Sequence, residues 1–554
     1  MQRTLVDAIR NTQRFVEWTG TNRIGSLTAS IILLTVILPI SSYSVGVPLS
    51  RSIHFSSPVL YQGSPTQTSP YITTFPISQN SSDFVPFVLY PASNKTVWVV
   101  TIKQGNIINN VIQPPRAQIV KYTIGVGPKP VVSLVNAIPS DIVYDQTLNR
   151  VWFLENDSLA YYNQNAPPGN LTVELTFPKG SPQFMTIDPT GRIWLTLLGT
   201  NQIAEYDPST REPPNLYNAP APNASLQGIT TAPDGTIWFA ETAAKRLGHL
   251  TPCRSTSCTI TDYGPPSGVE ITFPIQLAID RNGTVWFTDH GSNQFGSFNP
   301  STLEWKVFPI GYCSASFADC AVGLPNAISL DSSGLIWFSE HYAGRVARYD
   351  PSDGTLIEYT VPAVTPPYIW WASPGPGNLV WFVAFGLGEI GYVNASLPVP
   401  ISISATNSIE LEQGGSKNVP ASVQKPAGDS VYLSVSANGN DAPVGLSPLL
   451  YGSPEQGQIG PSDTAVSTAF RLSAAWNLGL GQRYAALTAY NSNVAINVFV
   501  HVNVSQGKTS YFSTGLATTI LIGSVALYWR HTPKDRKTGR LRKNRVSATL
   551  VQSR

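Results

Sequence analysis

The chain has 554 residues, of which 42% are apolar and 12% are charged, with 43 Gly, 46 Pro and 13 Trp. That length exceeds one ordinary core, the apolar share excludes a disordered chain, and the charged share is about half the usual one. A formal charge of +2 argues against a nucleic-acid partner, and it hides a segregation: residues 24–529 carry 22 Lys/Arg against 30 Asp/Glu.

In chain order, residues 1–23 hold Arg3, Arg10, Arg14 and Arg23 and read as a cytoplasmic N-terminus. Residues 24–47 contain no charge, with an apolar centre at 30–40 (SIILLTVILPI), which is long enough for a transmembrane helix. The alternative is a cleaved signal peptide; the long N-terminal region without an A-x-A site favours an uncleaved anchor. Residues 509–529 (TSYFSTGLATTILIGSVALYW) form a second uncharged run, followed by a basic tail at 530–554. Positive flanks stay inside, so both termini are expected in the cytoplasm and all between them outside, at the plasma membrane.

From 69 to 397 one unit recurs: an apolar strand, a turn with Asp or Gly, then a strand bearing Trp. It reads QFMTIDPTGRIWLT at 183–196, QGITTAPDGTIWFAE at 227–241, IQLAIDRNGTVWFTDH at 275–290 and NAISLDSSGLIWFSEH at 326–341. Weaker copies place Trp98, Trp152 and Trp381 at the same point, giving seven copies at spacings of 42 to 54 residues. Four short strands per repeat of this length predict a seven-bladed β-propeller, and the PDG, RNG and SSG turns are hairpin signals. The seventh copy lacks a fourth strand, whereas SPYITTFPI at 69–77 fits that role. We therefore expect it to close the ring as a latch that removes an open sheet edge. Residues 400–507 lose the Trp repeat and alternate apolar with polar residues, as in an immunoglobulin-like β-sandwich; LEQGGSKNVPASV resembles the opening of cell-surface modules of that kind. This second domain is expected to act as a stalk. The fold class is thus an all-β ectodomain, propeller then sandwich, flanked by two transmembrane helices.

Cys253–Cys258 and Cys313–Cys320 form two tight pairs. An oxidising exterior favours short-loop disulfides; zinc is the competing reading, but its sites usually show C-x-x-C with His nearby. Sequons at Asn80, Asn94, Asn156, Asn170, Asn223, Asn282, Asn394 and Asn503 permit a glycoprotein without requiring one.

In a propeller the loops joining strands two to three and blade to blade share one face, so residues just after the Trp strand ring the channel mouth. They are Glu155, Leu197, Glu241, Asp289–His290, Glu340–His341 and Ala384–Phe385, joined by first-strand starts at Asp141, Gln183, Gln227 and Asn326. Clustered His, Asp and Glu at a concave mouth bind metal or move protons; Glu155, Gln183, Gln227 and Asn326 are ligand-binding candidates. The competing reading is that such acids only bond backbone at the channel.

PDGTIWFAETAAKRLGHLTP, NGTVWFTDHGSNQFGSFNPST and SGLIWFSEHYAGRVARYDPSDGTLIEYTVP resemble the streptogramin B (virginiamycin B) lyase-like propellers, over about residues 69–396. The resemblance implies a lactone-opening elimination, with His290 or His341 as base and Glu241, Asp289 and Glu340 as candidate ligands of a divalent metal such as Mg. Two departures stand out. The acids directly precede the histidines rather than forming Glu-x-His, and the seventh blade offers Ala384–Phe385 where a polar group is expected. Two functions therefore remain: a cell-surface binding module for an envelope glycan, surface protein or small ligand, and a metal-dependent enzyme acting on a lactone or ester.

Overall fold

The computed structural model describes residues 69–77, 84–105, 107–108, 111–112, 114–252, 258–310, 323–363, 367–437 and 450–507. Both uncharged runs lie outside these residues, and among the described residues no helix is long and apolar enough to cross a membrane. The two cysteine pairings fall wholly or partly outside them; no free cysteine occurs among the described residues.

Seven four-stranded antiparallel blades follow one another, at 85–135, 142–176, 182–218, 226–263, 274–309, 325–360 and 369–394, numbered 1 to 7 in that order; six are separate sheets, and blade 6 belongs to a nine-stranded one. Each strand run ends at a turn that its residues favour, and three blades repeat one device. Asp188, Asp280 and Asp331 close the turn between first and second strands, and each also accepts the indole N–H of the Trp six residues on, at 3.0, 3.1 and 2.8 Å. The carboxylate thereby satisfies a donor that is otherwise buried with its ring. Blade 4 has Ala232 at this place, and its Trp238 packs on His249 instead, with centroids 4.5 Å apart. Opposite the second-strand aromatic the third strand must be small. A Cβ on Gly248, Gly296 or Gly391 would run into Phe239, Phe287 or Phe382.

Neighbouring blades are stitched at the mouth by hydroxyls. Thr242 donates to the Pro274 carbonyl at 2.5 Å, Thr288 to Asn326 at 2.6 Å and Ser339 to Trp370 at 3.3 Å. The ring closes as expected: Ile72–Pro76 pairs antiparallel with Glu389–Asn394, giving blade 7 its fourth strand from the other end of the propeller.

The C-terminal unit is two sheets around one core. Ser402–Ala405, Ser416–Gln424, Ala465–Ala474 and Leu450–Pro454 form one sheet. The other contains Ser408–Glu412, Val494–Ser505, Gly481–Tyr490, Val431–Ala437 and Gln458–Ile459. The unit joins the propeller through its second sheet. Val494–Ser505 pairs with Thr355–Thr360, the outer strand of blade 6, so one sheet runs unbroken from propeller into sandwich. Phe499 and Tyr484 extend the contact onto Phe308 of blade 5, at 5.0 and 4.7 Å between centroids.

Candidate functional site

Six of the seven blades carry a register shift where the first strand enters from the mouth. A bulge re-aims a side chain. The residues set in these bulges are Phe87, Gln183–Phe184, Gln227–Gly228, Ile275, Asn326–Ala327 and Trp370. Four of the six follow a proline directly, which cannot donate to the ladder.

The structure brings the two predicted histidines together. Their rings stack, 5.9 Å between centroids and 18° between planes. The His290 Nδ1–H donates to the Pro325 carbonyl at 3.0 Å, leaving Nε2 unprotonated. Burial lowers the pKa of His290, and burial together with the neighbouring His290 pushes His341 down to about 3. Both imidazoles are therefore neutral at neutral pH, which permits their stacking. The Nδ1 of His341 has no hydrogen-bond partner.

Around the pair lies a set of rings that sequence reasoning missed. His341 meets the edge of Trp370 at 4.8 Å and Tyr368 at 5.8 Å. Tyr368 continues to Tyr342 at 5.7 Å, Trp370 to Phe87 at 5.6 Å, and His290 to Phe273 at 6.3 Å. Trp371 of blade 7 stacks on Phe184 of blade 3 at 6.2 Å and 12°. The signal that would have found Phe87 and Phe184 is their place one or two residues after the proline opening a first strand.

The three predicted metal-ligand carboxylates are all fully buried, and each is engaged within or beside its own blade. Asp289 accepts from the backbone N–H of Thr272 and Phe273, from the Ser292 hydroxyl at 2.7 Å and from the Gln294 amide at 3.0 Å. Glu340 binds Arg345 at 2.5 Å. Glu241 accepts one N–H, from Ala221 at 3.4 Å, and its Oε2 has no partner; burial raises its pKa to about 7. Magnesium requires several convergent oxygens in near-octahedral array. These residues do not fit it, and among the described residues no group of three or more His, Cys, Asp or Glu converges for a metal.

The remaining candidates take supporting places. Asn326 donates to the Trp370 carbonyl at 2.7 Å and so positions that ring. The Gln183 amide is spent on the Ser181 and Pro182 carbonyls. Gln227 is half-buried beside Gly228, and Glu155 is half-buried with its pKa raised by burial. Asp141 bridges blades 2 and 3 through the N–H groups of Ile142 and Met185, and burial raises it to about 7.

Residues 149–405 match the model of the Virginiamycin B lyase family. The propeller is similar to that family. A virginiamycin B lyase of Nocardia farcinica (strain IFM 10152) is 27% identical over 222 residues, 40% of this chain and 69% of that protein. Among solved structures, virginiamycin B lyase from Staphylococcus aureus has a TM-score of 0.45 at 19% identity, covering 58% of this chain and 98% of that one. A streptogramin B lyase has a TM-score of 0.46 at 20% identity, covering 58% and 97%. The propeller here sets its histidine pair among aromatic rings.

Proposed function

We propose that this is a membrane-anchored, extracytoplasmic binding protein, whose virginiamycin B lyase-like propeller captures a ring-bearing ligand at its mouth and whose immunoglobulin-like unit fixes the propeller above the membrane. The ligand classes are a small molecule, an envelope glycan or a surface protein group. The observation that carries the reading is the array of Tyr342, Tyr368, His341, Trp370, Phe87, His290 and Phe273, contributed by blades 5, 6, 7 and 1. Aromatic contacts of this kind contribute about 0.5–1.5 kcal/mol per pair beyond area burial. The engagement of Asp289 by four internal donors supports it too, since that carboxylate is not left free to hold a cation.

A second reading, opening of a lactone or ester, rests on one observation: a neutral His290 with Nε2 unprotonated can accept a proton. One experiment separates the two. Quinupristin, which a virginiamycin B lyase in the solved structures binds, is titrated by fluorescence into wild type, Trp370→Ala and the His290→Ala/His341→Ala double variant, and the macrocycle is then chromatographed. Binding that weakens about tenfold or more in Trp370→Ala, with the macrocycle intact, is expected. Ring opening lost in the double variant would establish the enzyme instead. Equal affinity in wild type and Trp370→Ala would sink the ring-array reading.

A further inference from the structure

Three segments meet at one end of the sandwich: the turn at 412–415, the loop at 475–480 that crosses from one sheet to the other, and the chain's exit at 505–507. The Gln413 N–H donates to the Ser505 carbonyl and the Gly414 N–H to the Ala474 carbonyl, each at 3.0 Å. The Gln413 side-chain amide donates to the Leu478 carbonyl at 2.6 Å, and Gly481 stands opposite Val504 in register. The crossing loop is therefore held beside the exiting strand. Its Leu478 is 2% exposed and anchors the loop in the core, whereas Trp476 is 68% and Leu480 51% exposed. Residues 475–482 (AWNLGLGQ) contain no charge.

A large exposed indole beside an exposed leucine on a hydrogen-bonded loop has a cost in water that a lone surface residue does not. What lies next along the chain identifies what covers it. Four residues and five Cα–Cα steps separate Val504 from Thr509, where the uncharged run 509–529 begins. They span at most about 18 Å. The interfacial layer on each side of a bilayer is roughly 5–7 Å deep, and Trp is the side chain that favours it, with an apolar ring and an N–H for the headgroups.

We propose that Trp476 and Leu480 seat in the headgroup–acyl boundary of the bilayer that residues 509–529 cross, so that the sandwich stands on the membrane instead of swinging from its anchor. This rests on the membrane-anchored reading above. Because the sandwich and blade 6 share a sheet, the same contact fixes the tilt of the propeller mouth relative to the bilayer.

The test uses the full chain reconstituted in phosphatidylcholine vesicles, with and without acyl-brominated lipid, as wild type and Trp476→Phe. Subtracting the two emission spectra isolates Trp476 and cancels the other indoles, Trp529 included. Carbonate-washed vesicles that retain the protein, with the difference signal blue-shifted and reduced about twofold or more by bromine, are the expected result. Retained protein with a difference signal indifferent to bromine overturns the proposal and leaves the anchor standing. Protein released by the carbonate wash overturns both.

Discussion

Blades 4 and 6 end their second strands on the same pair at the same register: Glu241 opposite Arg246, and Glu340 opposite Arg345. The outcomes differ. Arg246, with its side chain 45% exposed, turns to Asp262 at 2.7 Å and leaves Glu241 with an unpartnered oxygen. Arg345, 3% exposed, binds Glu340 at 2.5 Å and reaches Glu358 at 3.4 Å, so Glu340 keeps one unpartnered oxygen, Oε1, but holds the guanidinium with the other. The difference comes from the fourth strand and what covers it. Asp262 sits on a rim open to water, whereas Glu358 lies under the last strand of the sandwich, where the Asn497 amide donates to it at 2.8 Å. Covering one blade edge thus turns a solvated arginine into the centre of a buried network, whose Glu340 directly precedes His341 at the mouth. Local sequence sets the register; the neighbour sets the electrostatics.

The comparison breaks most sharply at the arginines. Arg345→Ala leaves Glu340 and Glu358 buried without their shared cation and is expected to destabilise by about 3–5 kcal/mol. Arg246→Ala removes an exposed pair and is expected to cost about 0–1 kcal/mol. Urea unfolding of the two variants measures both; equal losses would show that burial by the sandwich is not what separates the blades. A smaller effect is expected at the seam itself. Asn497 donates to Glu358 and to the Leu356 carbonyl and accepts from Thr488 at 2.5 Å. Asn497→Ala strands these groups and should cost about 1–3 kcal/mol. The loss should vanish in an Arg345→Ala background only in part, since the backbone carbonyl and Thr488 remain stranded, and a double-mutant cycle reads the shared fraction.

The propeller was legible because its unit is redundant. Seven Trp strands at a common spacing, each beside a turn of fixed chemistry, state one period many times over, and even the latch at Ile72–Pro76 follows from counting strands. The mouth was legible only in part. Position after the Trp strand placed His290 and His341 side by side, because strand ends in adjacent blades must converge at the channel. It did not disclose that Asp289 and Glu340 turn inward, since the partners that hold them, Ser292, Gln294 and Arg345, lie on hairpin and third-strand positions with no motif of their own. The edge fusion of blade 6 with Val494–Ser505 left no signal at all, because an alternating apolar strand reads the same whether it ends a sheet or continues one.

A pH dependence isolates blade 4. Glu241 is fully buried, and burial raises its pKa from 4.5 to about 7 in the folded protein. Between those values the folded chain holds a proton that the unfolded chain has released. Stability therefore falls as pH rises through that window, by at most about 1.4 kcal/mol per pH unit from this group. Glu241→Gln keeps an oxygen for the Ala221 N–H and carries no charge, so its own contribution is flat with pH. Asp141 and Glu340, also raised by burial, and the lowered histidines act equally in both proteins and cancel in the difference. Chemical unfolding at pH 5 and pH 8 should thus show the variant gaining on wild type as pH rises, with most of the gain complete by about pH 8. Parallel profiles would mean that the unpartnered Oε2 of Glu241 reaches water in solution. In that case the contrast between the two blades would reduce to the buried ion pair that Glu340 makes with Arg345 and that Glu241 lacks.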